Sequence, residues 1–216
     1  MNHKKFANLS FGCSLTFLVI LTLLHLIKPE LAPSWNFISE YQVGRYGWLM
    51  QLAFLLLGLA CIFLVISLWN TINILGKIGL VILMLSAAGM LLAAICKTDP
   101  LNTPPQLQTQ TGQLHQLGAM LDQIPFAAVF ITIALCRKKE WHISRAGLIL
   151  MLLLVWFGFL FFIGSVKVQF PANGKFGPKV LVGWQNRIMI VTQVIWLAFI
   201  TANVKNKLFP PQTKSN

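Results

Sequence analysis

Acidic residues are scarce: the 216 residues hold five Asp and Glu against 17 Lys and Arg, and charged side chains of both signs make up only 10% of the chain. A soluble domain needs more polar surface than this to face water, which points to lipid as the solvent. Cysteine is also sparse. Cys13, Cys61, Cys96 and Cys136 fall on four different apolar segments at different expected depths, so no pair is placed for a disulfide. With no CxxC and no Cys/His metal spacing, zinc-finger and thioredoxin chemistry is disfavoured. No glycine-rich phosphate loop is present, which argues against nucleotide binding. The formal charge of +12 would suggest nucleic acid in a soluble protein. Here the basic residues lie in short gaps between apolar runs and no nucleic-acid-binding module interleaves aromatics with them, so no nucleic-acid partner is expected.

What the chain has in abundance is apolar length: 56% of its residues are hydrophobic and its mean hydropathy is +0.73. About 20 apolar residues cross a hydrocarbon core roughly 30 Å thick. The sequence supplies that length six times, at about Phe6–Ile27, Tyr46–Trp69, Lys77–Ile95, Gly112–Cys136, Ala146–Val166 and Val180–Val204. Inside hydrocarbon each backbone N–H and C=O must be paired within its own segment, so runs of this length are helices. The expected fold is all-α, an integral membrane six-helix bundle over residues 1–208, with a disordered tail at 209–216. The first run lacks a small-x-small cleavage site and is expected to be a retained helix rather than a signal peptide.

Lys and Arg near the helix ends set orientation. With the N-terminus inside, ten basic residues are cytoplasmic, including the Arg137-Lys138-Lys139 cluster, and seven are outside, among them Arg45, Lys97 and Arg187. The bias puts both termini in the cytoplasm. Cytoplasmic connections are then about seven to nine residues and outer ones about 13 to 18, and function tends to reside in the longer set. The chain also reads as three hairpins whose outer loops carry Pro33, Pro104 and Pro171, without residue identity enough to assert a repeat.

The few polar residues gather on the outer side. Glu30, Glu40, Asp99 and Asp122 are expected there, with His25 and His115 at the same level. Gly112, His115, Gly118, Asp122 and Pro125 recur at spacings of three and four, one stripe of a single helix. An unpaired carboxylate as deep as Asp122 would cost roughly 2.5–3.5 kcal/mol, so it is expected to be protonated, paired or in contact with water. The second helix carries Glu40, Gly44, Gly47, Trp48, Gln51 and Gly58, and the sixth opens with Gly183, Trp184, Gln185, Asn186 and Arg187, with Gln193 deeper. Arg187 is the expected partner of Asp122 or Glu40. Together these stripes imply one pocket opening outward.

Ser39-Glu40-Tyr41 before the second helix, Lys97-Thr98-Asp99-Pro100 after the third, Thr111-Gly112-x-x-His115 opening the fourth and Gln185-Asn186-Arg187 opening the sixth resemble the multi-pass membrane proteins of the domain of unknown function 998 (DUF998) family. The resemblance runs from the first helix to the sixth. It implies about six helices in a bacterial or archaeal membrane, here the bacterial inner membrane, and brings no established chemistry or cofactor.

The leading expectation is a cavity that binds a small or lipid-like polar ligand. Arg187 and Arg45 would serve as anion contacts, Glu40, His115 and Asp122 as hydrogen-bonding or proton-exchanging groups, and Asp99, Gln185 and Asn186 as further contacts. An enzyme reading gives His115 an acid/base role supported by Asp122 or Glu40. A structural reading has Thr111 cap the fourth helix and Asp99 turn locally onto Asn102, the bundle then serving a partner protein. A metal site or haem would need His25 and His115 to converge, and spacing alone cannot show that. A transporter is disfavoured because the cytoplasmic halves of the third and fifth spans are almost wholly apolar. Membrane lipids are the expected surroundings; the sequence does not specify oligomeric state or cofactor.

Overall fold

The computed structural model describes residues 3–170 and 175–207. The expected tail at 209–216, and Pro171 of the third outer loop, lie outside the described residues. The described chain forms seven α-helices: α1 (His3–Ile27), α2 (Gly47–Leu68), α3 (Ile74–Ile95), α4 (Gln110–Met120), α5 (Ile124–Cys136), α6 (Arg145–Gln169) and α7 (Gly183–Lys207). Short 3-10 turns occupy Ile38–Gln42, Pro105–Leu107 and Lys139–Ser144, and no strand occurs among the described residues. Six segments are long and apolar enough to cross a membrane, with α4 and α5 together making the fourth. The protein is a multi-pass, all-helical membrane bundle.

Helix starts follow local chemistry. Asn73 caps α3 by accepting from Gly76 N at 3.1 Å, and Thr109 caps α4 by accepting from Gly112 N at 3.0 Å. The cap of α4 is therefore Thr109 and not Thr111, because α4 begins two residues earlier than the apolar pattern indicated. Before α2 the chain reverses through Gly44 (φ +73°) and Tyr46 (φ +62°).

The fourth span is not one continuous helix. Proline has no N–H to donate and its ring crowds the preceding turn, and Pro125 sits in the first turn of α5. The helix stops at Met120 and restarts at Ile124, leaving peptide groups that hydrocarbon cannot satisfy. Side chains take them up. Gln123 N donates to Ser86 Oγ at 2.8 Å, Ile124 N donates to Asp122 Oδ1 at 3.2 Å, and Met120 O accepts from Gln123 Nε2 at 3.0 Å. Asp122 thus lies at the interruption rather than on the stripe of a continuous helix.

The helices close a ring: α1 packs on α2, α2 on α3, α3 on both α4 and α5, α5 on α6, α6 on α7, and α7 back on α1. Two glycine contacts set its spacing. A Cβ on Gly118 would come within 2.6 Å of Gly89 O, and one on Gly158 within 3.0 Å of Met189 Cα. Backbone therefore meets backbone between α4 and α3, and nearly so between α6 and α7, as small residues permit in membrane bundles. α6 is the most peripheral helix, burying only Leu148, Val155 and Gly158.

Gly118→Val should lower the melting temperature of the detergent-solubilised protein by the equivalent of about 1–3 kcal/mol, the usual cost of overpacking. Gly12→Ala should be neutral or slightly stabilising, since nothing lies within 4 Å of a Cβ there. Equal melting curves for the two variants would remove the α3–α4 contact from the account of the fold.

Candidate functional site

The face bearing residues 28–46, 96–109 and 175–182, called here the loop face, is held together by two buried groups. Arg187, 4% exposed, is one. Its Nε donates to His25 Nε2 at 2.7 Å, Nη1 donates to the carbonyls of Pro33 (3.2 Å), Asn36 (2.6 Å) and Gly183 (3.0 Å), and Nη2 donates to Tyr41 Oη at 3.2 Å. The His25 ring is oriented by Nδ1–H donating to Leu21 O at 2.6 Å, so in the neutral ring the lone pair on Nε2 faces the guanidinium. The acceptors are all neutral; the Tyr41 and Trp184 rings, 5.6 and 6.0 Å from the guanidinium carbon, add cation–π attraction.

Glu40 is the other. Its carboxylate accepts from Asn36 Nδ2 at 2.7 Å, Phe37 N at 3.2 Å and Leu101 N at 3.1 Å, tying the α1–α2 loop to the α3–α4 loop. The expected ion pair between Arg187 and Glu40 or Asp122 therefore does not form. Asn36 stands between the two charges instead, its carbonyl on Arg187 and its amide on Glu40. Lys28, 3% exposed, donates to the carbonyls of Tyr41 and Val43; burial pushes its ammonium pKa down from the usual value, against the pull of Glu30.

The C-terminal carbonyls of α3 are capped from three directions. Gln42 Nε2 donates to Ala93 O at 2.7 Å, Gln51 Nε2 donates to Ala94 O at 3.1 Å, and His115 Nδ1 lies 3.2 Å from Ala93 O and 2.9 Å from Cys96 O. Both partners of His115 Nδ1 accept, so Nδ1 carries the proton and in the neutral ring the lone pair is on Nε2. That nitrogen has no hydrogen-bond partner among the described residues, and the ring, set edge-on to Phe54 at 5.7 Å, lines a cavity.

This cavity holds about 860 Å³ beneath the loop face. Its polar walls include Glu40, Asp99, His115, Asp122, Gln123 and Asn186, and its apolar walls include Phe54, Met90, Phe159, Phe162 and Met189. No Lys or Arg is among its described lining residues, whereas three carboxylates are. Asp99 accepts from Thr109 N at 2.9 Å and Thr109 Oγ1 at 2.8 Å, which fastens the start of α4. The local turn expected between Asp99 and Asn102 is absent from these contacts; Asn102 instead exchanges two hydrogen bonds with the backbone of Phe176, at 2.8 and 2.7 Å. Asn186 Oδ1 accepts from Ile38 N at 3.0 Å. At the cavity base Asp122 meets the α5 N-terminus, and the fully buried Gln193 amide reaches toward it without closing a hydrogen bond.

Among the residues expected to meet a ligand, the structure thus brings Glu40, Asp99, His115, Asp122 and Asn186 to one cavity. It does not bring Arg187, Gln185 or Arg45 to its walls. Arg45 is exposed and lies over the Tyr46 ring at 4.6 Å, and Gln185 is half-buried with its Oε1 unpaired. His25 uses both ring nitrogens in hydrogen bonds, which leaves it no lone pair for a metal or haem. Among the described residues no group of three or more His, Cys, Asp or Glu is placed to hold a metal ion. Sequence reasoning missed Asn36, whose amide holds the Glu40 carboxylate and whose carbonyl accepts from Arg187, Gln42, whose partners are backbone atoms far away in the chain, and the aromatic wall from α6.

Six spans, a ring of helices and a cavity with acidic polar walls define an integral membrane protein with a cavity inside its bundle. The family model described as "Protein of unknown function (DUF998)" matches residues 11–203, and the chain belongs to that family. No curated protein and no solved structure matches it.

Arg187→Lys should keep the charge and lose the fork, since an ammonium cannot span acceptors from α1, α7 and the loop together. The expected result is a destabilisation of about 1–3 kcal/mol, with amides 34–41 exchanging hydrogen faster than in the parent. Unchanged exchange over that segment would show that the loop does not depend on Arg187.

Proposed function

We propose that this membrane protein binds a polar, hydrogen-bond-donating ligand, neutral or cationic, in the cavity beneath the loop face. The observation that carries this reading is His115: its Nδ1 is committed to the end of α3, so Nε2 offers an acceptor to a cavity lined by carboxylates and by no described Lys or Arg. A hydroxyl or amine suits such walls, whereas a phosphate would meet like charge with no cation to offset it. This reverses the anion preference expected from Arg187 and Arg45. Arg187 acts in this reading as a positioning residue that holds the loop, and Glu40 and Asp99 do the same for the cavity rim. About 860 Å³ and a majority of apolar wall are typical of a small-molecule site.

Native mass spectrometry of protein released from mild detergent tests the reading. The parent should carry a bound mass, and His115→Phe or Asp122→Asn should reduce its retention about tenfold, as expected for loss of one hydrogen bond to a charged or fixed acceptor. Arg45→Ala should leave it unchanged. An anionic ligand released by Arg45→Ala but kept by His115→Phe would overturn the proposal.

The Lys and Arg bias supports a bacterial inner-membrane orientation with the loop face outside and both termini in the cytoplasm. Fusion of green fluorescent protein to the C-terminus should then fluoresce, and a fused alkaline phosphatase should stay inactive; the opposite pair of results would invert the protein.

A further inference from the structure

Resting on the reading just given, we infer that the ligand is an amphiphile from the bilayer: its polar head sits at His115 and its hydrocarbon chain leaves sideways through a gap between α4 and α6. Gln116, Ala119 and Met120 of α4 and Phe159, Phe162 and Ile163 of α6 all line the cavity. Yet α4 packs on α3 and has no packed interface with α6, whereas α5, the other half of the same span, does pack on α6.

The gap has a mechanical origin. Gly118 draws α4 onto Gly89 of α3, and Gly158 draws α6 onto α7, so the two helices are pulled apart in the half of the bundle nearer the loops. Below, Phe126 of α5 closes edge-on against Trp156 (5.3 Å) and Phe159 (6.1 Å) of α6, which shuts the other half. Above, Phe37 meets Phe162 at 6.0 Å and Phe176 at 5.4 Å, covering part of the cavity toward the loops. Between these two aromatic contacts a lateral direction is left uncovered among the described residues. Met120, 72% exposed, and Ile163, 47% exposed, each face both the cavity and the outside of the bundle, and in a membrane-spanning helix that outside is hydrocarbon. A water-soluble ligand has no use for an apolar exit at that level, while a chain-bearing one keeps its tail in lipid and places only its head among the polar groups.

Photolabelling of the full-length protein in phosphatidylcholine vesicles tests this. One probe is a long-chain primary amine with a diazirine halfway along its chain, and the other is a short, water-soluble amine with the same diazirine. The long probe should label α4 and α6 at the gap, and both Ala119→Trp, which fills it, and His115→Phe, which removes the head's acceptor, should cut that labelling about tenfold. Ala119→Leu and a melting curve for each variant separate a blocked gap from an unfolded protein. If only the short probe labels the cavity and Ala119→Trp changes nothing, lateral access is overturned and the cavity reading stands. If the long probe labels lipid-facing Val19 and Ile78 as strongly as Met120, the gap holds no specific chain and the inference fails. If neither probe labels any cavity residue and His115→Phe is silent, both readings fall.

Discussion

Backbone-to-backbone contact between Gly89 and Gly118 is the constraint from which the site follows. With α4 drawn against α3, His115 comes within reach of the carbonyls that α3 leaves unpaired at Ala93 and Cys96. The histidine then serves two purposes through its two nitrogens. One completes the end of a helix, and the other is left facing the cavity with its tautomer already chosen. A side chain on either glycine would push α4 outward, break the His115 contact and narrow the space that α4 now leaves beside α6.

Charge is divided between framework and cavity. Arg187 and Lys28 are buried, yet they are spent on carbonyls, a neutral imidazole and a phenol of the loop face. Glu40 and Asp99 are likewise held by N–H and O–H donors rather than by cations. Removing one partner of such a group leaves a buried charge unsolvated, which is dearer than the contact itself is worth. Two basic groups, Arg187 and Lys28, thus hold the loops, while three acidic ones, Glu40, Asp99 and Asp122, line the cavity.

The six spans were legible because their length and apolarity are properties of contiguous sequence. So was the gathering of Glu40, Asp99, His115, Asp122 and Asn186 at one cavity, since each lies in one of the longer connections or in the half of a span next to it. The interruption at 121–123 was missed because Gly112, His115, Gly118, Asp122 and Pro125 keep helical spacing across it. Pro125 three residues after Asp122 was the available signal, an acidic residue and a proline being what a helix start uses. The partners of Arg187 were illegible for a different reason. Three of its five hydrogen bonds go to the backbone oxygens of Pro33, Asn36 and Gly183, and a backbone oxygen carries no residue-specific mark.

The interruption also fixes depth. An 11-residue α4 rises roughly 16 Å, about half of a hydrocarbon core. With the start of α4 at the loop-side edge of the hydrocarbon, Asp122 stands near the electrical midpoint of the span. A proton or cation reaching it from the loop face falls through about half of the transmembrane voltage, so a 100 mV potential changes its occupancy free energy by roughly 1 kcal/mol. In the binding reading proposed above, a site assembled from a broken helix and a pair of glycines would acquire a sensitivity to membrane voltage without any mobile charged helix.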